Sequence, residues 1–205
     1  MTDQRRADEA IGRALVITAS NRAAAGVYPD RGGPVLVEGL RGWGFVVDGP
    51  LVVPDGEPVA EALRDAVHQR YDVVLTTGGT GLSPSDRTPE ATRSVLEREV
   101  PGLAEAIRFR GTSAGIPTAA LSRGLAGLAG QTLIVNLPGS PGGCRDGLAV
   151  LDGVLVHAVD QIRGGDHPGP SSASPSSASS EPASSEPSPE PASSASASSE
   201  AVPRG

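Results

Sequence analysis

The chain has 205 residues, a length that fits one domain with a tail, and carries a net charge of −7 at a sequence pI of about 4.9. All 17 of its basic residues are arginine. This excludes a Walker-A lysine, a Schiff-base lysine and a Ser-x-x-Lys nucleophile, so any phosphate chemistry must draw on arginine, backbone amides, hydroxyls and a metal ion.

Residues 1–12 are polar and are expected to form a flexible N-terminus, with the folded domain running over 13–165. Ala14–Thr18 (ALVIT) is a short run rich in β-branched residues and predicts a buried strand, followed by the polar turn Ser20-Asn21-Arg22. Pro34–Leu40 predicts a helix with proline in its first turn, stopped by Gly42 and Gly44. Phe45–Val47 and Leu51–Val53 read as two extended segments. Pro58–Arg70 places Val59, Ala62, Leu63, Ala66 and Val67 at helical spacing. Asp72–Thr77 predicts a second buried strand that runs straight into Gly78-Gly79-Thr80-Gly81. Thr88-Pro89-Glu90 reads as an N-cap followed by a first-turn proline, with a helix continuing through Arg98. Pro101–Arg110 predicts a further helix and Gln131–Leu137 a third buried strand. A single last helix is expected to carry Leu148, Leu151, Val154, Leu155, Ala158, Val159 and Ile162 on one stripe. From Ser171 to Glu200 every residue is Ser, Ala, Pro or Glu. Such a stretch cannot bury enough apolar surface to offset backbone ordering of ~1–2 kcal/mol per residue, so 166–205 is expected to be a disordered tail. A docking tail or modified linker is the functional alternative.

Alternating strands and helices imply an α/β fold with a mostly parallel sheet and helices on both faces. Ligands bind such folds beyond the C-terminal ends of the strands. Three strands end there in loops able to carry chemistry. The Thr77-Gly78-Gly79-Thr80-Gly81 loop is either a tight turn or an anion cradle, in which glycines let the backbone approach a phosphate. Asp86 is either a helix-start carboxylate or a Mg²⁺ ligand. Asp55 in Val53-Pro54-Asp55-Gly56 belongs either to a simple turn or to the same metal–nucleotide site. Asn136-Leu137-Pro138-Gly139-Ser140-Pro141 opens the last helix and is either a proline-rich turn or an anion site at a helix N-terminus.

The remaining signals are mostly exclusions. The acidic balance argues against a nucleic-acid partner. The single Cys144 rules out an internal disulfide and reads as an inert small residue. His68, His157 and His167 keep no metal-ligand spacing. Apolar runs fall far short of the ~20 residues of a membrane span, and MTDQRRADEAIGR (1–13) lacks the apolar core of a secretory signal. A cytoplasmic protein without a membrane partner is expected.

Taken together, the segments ITASNRAAAGVYPDRGGP (17–34), VVPDGEP (52–58), TTGGTGLSPSDRTPEAT (76–92), PGLAEAIR (101–108) and PTAALSRGLAGLAGQTLIVNLPGSPGG (117–143) resemble the MogA/MoaB family of molybdenum cofactor biosynthesis proteins, in order over 13–165. The resemblance is nearest to its actinobacterial Mog-type members. It implies a three-layer α/β/α sandwich that forms homotrimers. It also implies molybdopterin adenylyltransferase activity: transfer of AMP from Mg-ATP to the terminal phosphate of molybdopterin, with release of pyrophosphate. The family's two essential aspartates fall on Asp55 and Asp86, which would be catalytic and hold Mg²⁺. Its substrate-binding positions fall on Ser20, Thr77, Gly78, Gly79, Thr80, Gly81, Ser122, Asn136, Pro138, Gly139 and Ser140. The resemblance further implies a molybdate-insertase (MoeA-like) protein as partner. A non-catalytic molybdopterin-binding or scaffolding trimer of the MoaB type is the alternative. With no lysine available, at least one of Arg22, Arg87, Arg123 and Arg145 is expected to contact phosphate.

Overall fold

The computed structural model describes residues 10–165. The expected tail over 166–205 and the first nine residues of the expected flexible N-terminus lie outside them. In chain order the elements are β1 (Arg13–Ala19), a one-turn helix α1 (Asn21–Ala24), α2 (Gly33–Gly42), β2 (Val46–Val53), α3 (Glu57–His68), β3 (Val73–Thr77), α4 (Thr88–Arg93), β4 (Arg98–Glu99) and α5 (Pro101–Ser113). A 3-10 turn (Pro117–Leu121), β5 (Ala126–Ala129), β6 (Thr132–Leu137), α6 (Pro141–Leu151) and α7 (Leu155–Ile162) follow.

The six strands form one sheet in the order β2-β1-β3-β6-β5-β4. The pairs β1–β2, β1–β3 and β3–β6 are parallel, and β5 and β4 close one edge antiparallel. Side chains alternate across a strand, and here both faces are covered, so the central strands are apolar throughout. Ala14 and Val16 of β1, Val73 and Leu75 of β3, and Leu133 and Val135 of β6 pack with Leu36 and Leu40 of α2, Ile107 of α5 and Leu151 of α6. Leu15, Ile17, Val74 and Ile134 face the other way, onto Val59 and Leu63 of α3 and Ala91 of α4. The result is a three-layer α/β/α sandwich. Leu40 and Leu63 have no solvent exposure, and each contributes ~1.5–3 kcal/mol by burial.

Several local expectations are corrected. The two extended segments around residue 50 form one strand, β2, whose register against β1 shifts between Leu15 and Ile17. The helix from Thr88 stops at Arg93, and Arg98 and Glu99 pair instead with β5, a strand too short and Gly/Ala-rich to leave a pattern. The last helix is two helices. Asp152 leaves helical geometry at ψ 131°, and Val154 is exposed although it falls on the apolar stripe. The folded body includes Ile11, whose amide donates to the Gly44 carbonyl at 3.1 Å and whose carbonyl accepts from Arg163 at 2.8 Å.

The sheet order fixes where a ligand can sit. Chain leaving β1 continues to α2 on one face of the sheet, while chain leaving the adjacent β3 continues to α4 on the other. The two loops diverge and leave a crevice between them, the switch point of an open α/β sheet. No helix of the described residues is long and apolar enough to cross a membrane.

Candidate functional site

A cleft of about 640 Å³ opens at this crevice, lined by Ser20, Arg22, Asp55, Gly78, Gly79, Asp86 and Gly139 among others. Its floor is the glycine loop. Gly78 has φ 95° and Gly79 φ 61°, a region open to glycine at little cost. A Cβ at Gly78 would collide with the Ala19 carbonyl oxygen, and one at Gly79 with the Asp55 carboxylate and the Thr88 hydroxyl. The Gly78 amide is already committed to the Leu137 carbonyl at 3.1 Å. The amides of Gly79, Thr80 and Gly81 donate to no other group among the described residues, which leaves them for an anion.

Asp55 and Asp86 both reach the rim of this loop. Asp55 follows β2, and its backbone amide donates to Asn21 Oδ1 at 3.0 Å. Its Oδ1 accepts from the Gly56 amide at 2.7 Å and from Thr88 Oγ1 at 2.8 Å, and its Oδ2 accepts from the Arg87 amide at 3.0 Å. Thr88 therefore does not cap α4 with its hydroxyl, as its sequence neighbours predict: it begins the helix and is tied to Asp55. Asp86 lies at the end of the exposed loop 82–85, with Oδ2 accepting from the Ser83 amide at 3.1 Å. That oxygen is 2.7 Å from where a Cβ of Gly81 would stand.

A second cavity of about 220 Å³ lies on the other side of the loop, and apolar side chains dominate it. Ile107, Ile116 and Leu121 line it together with Thr80, Gly81, Ser122, Pro138 and Ser140. The glycine loop is thus a ridge between a polar cleft and an apolar cavity, with Gly78 and Gly79 on one side and Thr80 and Gly81 on the other. The loop after β6 divides in the same way, Gly139 facing the cleft and Pro138 and Ser140 the cavity. Ser140 also caps α6, accepting from the Gly143 amide at 3.0 Å.

Two of the predicted substrate-binding side chains are turned inward. Asn136 is only 2% exposed. Its Nδ2 donates to Thr76 and Thr92 Oγ1, both at 2.9 Å, and its Oδ1 accepts from the Leu125 amide at 3.0 Å. It locks β3, α4 and the approach to β5 together beneath the loop. Thr77 lines the cleft, but its hydroxyl donates to the Pro138 carbonyl at 2.8 Å and lies 3.2 Å from Cys144 Sγ, so that side chain joins the two loops. Burial pushes the Cys144 thiol up, which removes thiolate character and agrees with an inert role.

Of the four arginines expected near phosphate, Arg22 lines the cleft. Arg123 is committed to Gly81 and Asp86 carbonyls and to Glu90. Arg87 and Arg145 line neither cavity. Sequence reasoning missed Arg31, which also lines the cleft, and the Tyr28 and Asp30 beside it. Asp30 holds that wall, accepting from Thr18 Oγ1 at 2.7 Å and from the Gly32 and Gly33 amides at 3.0 and 3.1 Å. Tyr28 stacks under the Arg22 guanidinium at 4.8 Å and approaches the Ser20 hydroxyl at 3.2 Å. Asp30-Arg31-Gly32-Gly33-Pro34 is a legible helix-start signal; the aim of Arg31 has no local signature.

Residues 15–156 match the family described as "Probable molybdopterin binding domain". The structure of the molybdopterin biosynthesis Mog protein from Mycobacterium ulcerans is 56% identical, with a TM-score of 0.71 over 74% of this chain and 99% of that one. The molybdopterin biosynthesis enzyme MoaB from Thermus thermophilus is 46% identical, with a TM-score of 0.70 over 75% of this chain and 97% of that one. The molybdopterin adenylyltransferase of Helicobacter pylori strain J99 is 37% identical over 156 residues, which cover 73% of this chain and 86% of that protein. Other curated relatives are longer, and the chain spans 48% of one and 25% of another. A chain whose core matches this family over residues 15–156 and whose structural neighbours are Mog and MoaB proteins belongs to the MogA/MoaB family of molybdopterin-binding domains.

Proposed function

We propose that this chain is a molybdopterin adenylyltransferase that transfers AMP from Mg-ATP to the terminal phosphate of molybdopterin and releases pyrophosphate. The observation that carries the reading is the convergence of Asp55 and Asp86 on a glycine loop that separates a polar cleft from an apolar cavity. The name of the Helicobacter pylori relative supports it.

The chemistry suits such a site. The nucleophile is a phosphate oxygen of molybdopterin, already anionic, so no general base is required. It forms a bond to the α-phosphorus of ATP while the bridging bond to the β-phosphate breaks and pyrophosphate departs. Catalysis is then positioning and charge stabilisation. The free amides of Gly79, Thr80 and Gly81 hold phosphate oxygens between the two substrates. Arg22 and Arg31 take the triphosphate in the cleft. Ser122, Ser140 and Thr80 supply hydroxyls in an apolar cavity suited to a flat heterocycle. Asn136 and Thr77 act from below, by holding the loops in place. Two rim carboxylates beside a phosphate cradle match the one or two carboxylates that magnesium takes along with waters and phosphates. Asp55 and Asp86 would hold Mg²⁺, whose charge when bound offsets the repulsion between the two anions.

A homotrimer, a cytoplasmic location and a molybdate-insertase (MoeA-like) partner complete the proposal. Sedimentation of the purified chain checks the trimer. Incubation with molybdopterin and Mg-ATP, followed by chromatographic detection of adenylylated molybdopterin, checks the reaction. Molybdopterin binding without turnover would replace this reading with that of a scaffolding trimer.

A further inference from the structure

Loop 81–87 brings Asp86 to the glycine loop, yet residues 82–85 are exposed and belong to neither core cluster. Inside the loop, the Asp86 amide donates to the Ser83 carbonyl at 2.9 Å and the Ser83 and Ser85 hydroxyls lie 2.9 Å apart. The Thr88 amide closes its base by donating to the Gly79 carbonyl at 3.2 Å, and a side chain from elsewhere in the chain spans its two ends. Arg123, just after the 3-10 turn, donates from Nε to the Gly81 carbonyl at 2.8 Å and from Nη2 to the Asp86 carbonyl at 2.7 Å. Its own amide donates to the Thr80 carbonyl at 2.8 Å. Nη1 pairs with Glu90 in the first turn of α4, and this hydrogen bond holds the Glu90 carboxyl below its usual range. Arg123 lines neither the cleft nor the cavity.

We infer that Arg123 is a positioning residue for Asp86: its planar guanidinium staples both ends of loop 81–87 and so fixes where the Asp86 carboxylate meets the glycine loop. The inference rests on the adenylyl-transfer reading for its consequence in turnover, but not for its geometry. A lysine is a point charge and cannot hold two carbonyls in one plane. Glu90 balances the charge, so the staple works by shape rather than by attracting phosphate.

The test uses the full chain. Arg123→Lys is expected to lower kcat by about tenfold while KM for molybdopterin stays within about twofold, because the lost term is transition-state alignment rather than binding. In an Asp86→Asn background the same substitution is expected to change the residual rate by less than about twofold, since the group it acts through is gone. Without any ligand, amide hydrogen exchange at Asp86 and Arg87 is expected to rise in Arg123→Lys and to stay at the wild-type level in Glu90→Gln, which keeps both carbonyl bonds. Equal rate losses in both backgrounds, unchanged loop protection, or collapse of the fold in Arg123→Lys would overturn the positioning role. Loop deprotection in a protein whose wild type shows no turnover would uphold the staple and sink the adenylyl-transfer reading alone.

Discussion

Two carboxylates approach the same glycine loop from supports of different stiffness. Asp55 is held by two separate segments, through Asn21 in α1 and through the Arg87 amide and Thr88 hydroxyl at the start of α4. Asp86 has one amide donor, from its own exposed loop, and depends on Arg123 for the placement of that loop. Asp55 thus organises the fold around the site as well as lining it, whereas the Asp86 carboxylate is tied to the Ser83 amide of its own loop and its carbonyl to Arg123. A site built this way combines one carboxylate anchored through its own oxygens with one placed through the backbone of its loop. The two positions should fail differently when altered.

The largest expected effect treats the two alike. Asp55→Asn and Asp86→Asn should each lower adenylylation on the order of 10²–10³-fold, as loss of a group that stabilises transition-state charge does. Steady-state formation of adenylylated molybdopterin measures it. Retained turnover in either variant would remove that carboxylate from the reaction.

Stability should separate them. Gly79→Ala forces a side chain into the left-handed region and against Asp55 and Thr88 on the stiff side. A loss of about 2–3 kcal/mol is expected from strain and steric conflict. Gly81→Ala meets only the Asp86 carboxylate, the end of a side chain that can turn, and should cost under about 1 kcal/mol. Asp55→Ala strips three donors of a shared acceptor and should cost about 2 kcal/mol, against about 0.5 kcal/mol or less for Asp86→Ala. Urea titration of the four variants gives the values, and similar losses on both sides would erase the distinction.

The distinction was only half legible in the sequence. The strands at 14–18, 72–77 and 131–137 announce themselves because both of their faces are buried, which makes them continuous apolar runs. Their ends point to the loops, and the loops to Asp55 and Asp86. What local pattern could not show is which groups meet across the chain. Thr88-Pro89-Glu90 carries the marks of a helix cap, yet the Thr88 hydroxyl serves Asp55 33 positions away. Arg123 reads as a free cation available to phosphate, and its partners lie 42 and 37 positions away. Asn136 reads as a loop residue facing a ligand, and its contacts at Thr76 and Thr92 bury it in the sandwich instead. The break between α6 and α7 was hidden for the opposite reason: the apolar stripe runs through it without interruption.

The smallest effect isolates a single tie of the stiff support. Thr88 is fully buried and donates to Asp55 Oδ1 at 2.8 Å. Thr88→Val keeps the shape, removes that donor and sets a methyl group against a carboxylate oxygen. The Gly56 and Arg87 amides still serve Asp55, so the cost should be about 1 kcal/mol, the net worth of one hydrogen bond. Ser83→Ala is the matched change on the soft side. Its hydroxyl meets only Ser85 in an exposed loop, and its amide, which serves Asp86, is untouched, so stability should move by less than about 0.3 kcal/mol. Differential scanning calorimetry of the pair resolves the difference. A silent Thr88→Val would mean that the two amides alone fix Asp55, and that the anchor is stiff because of its backbone rather than its side-chain partners.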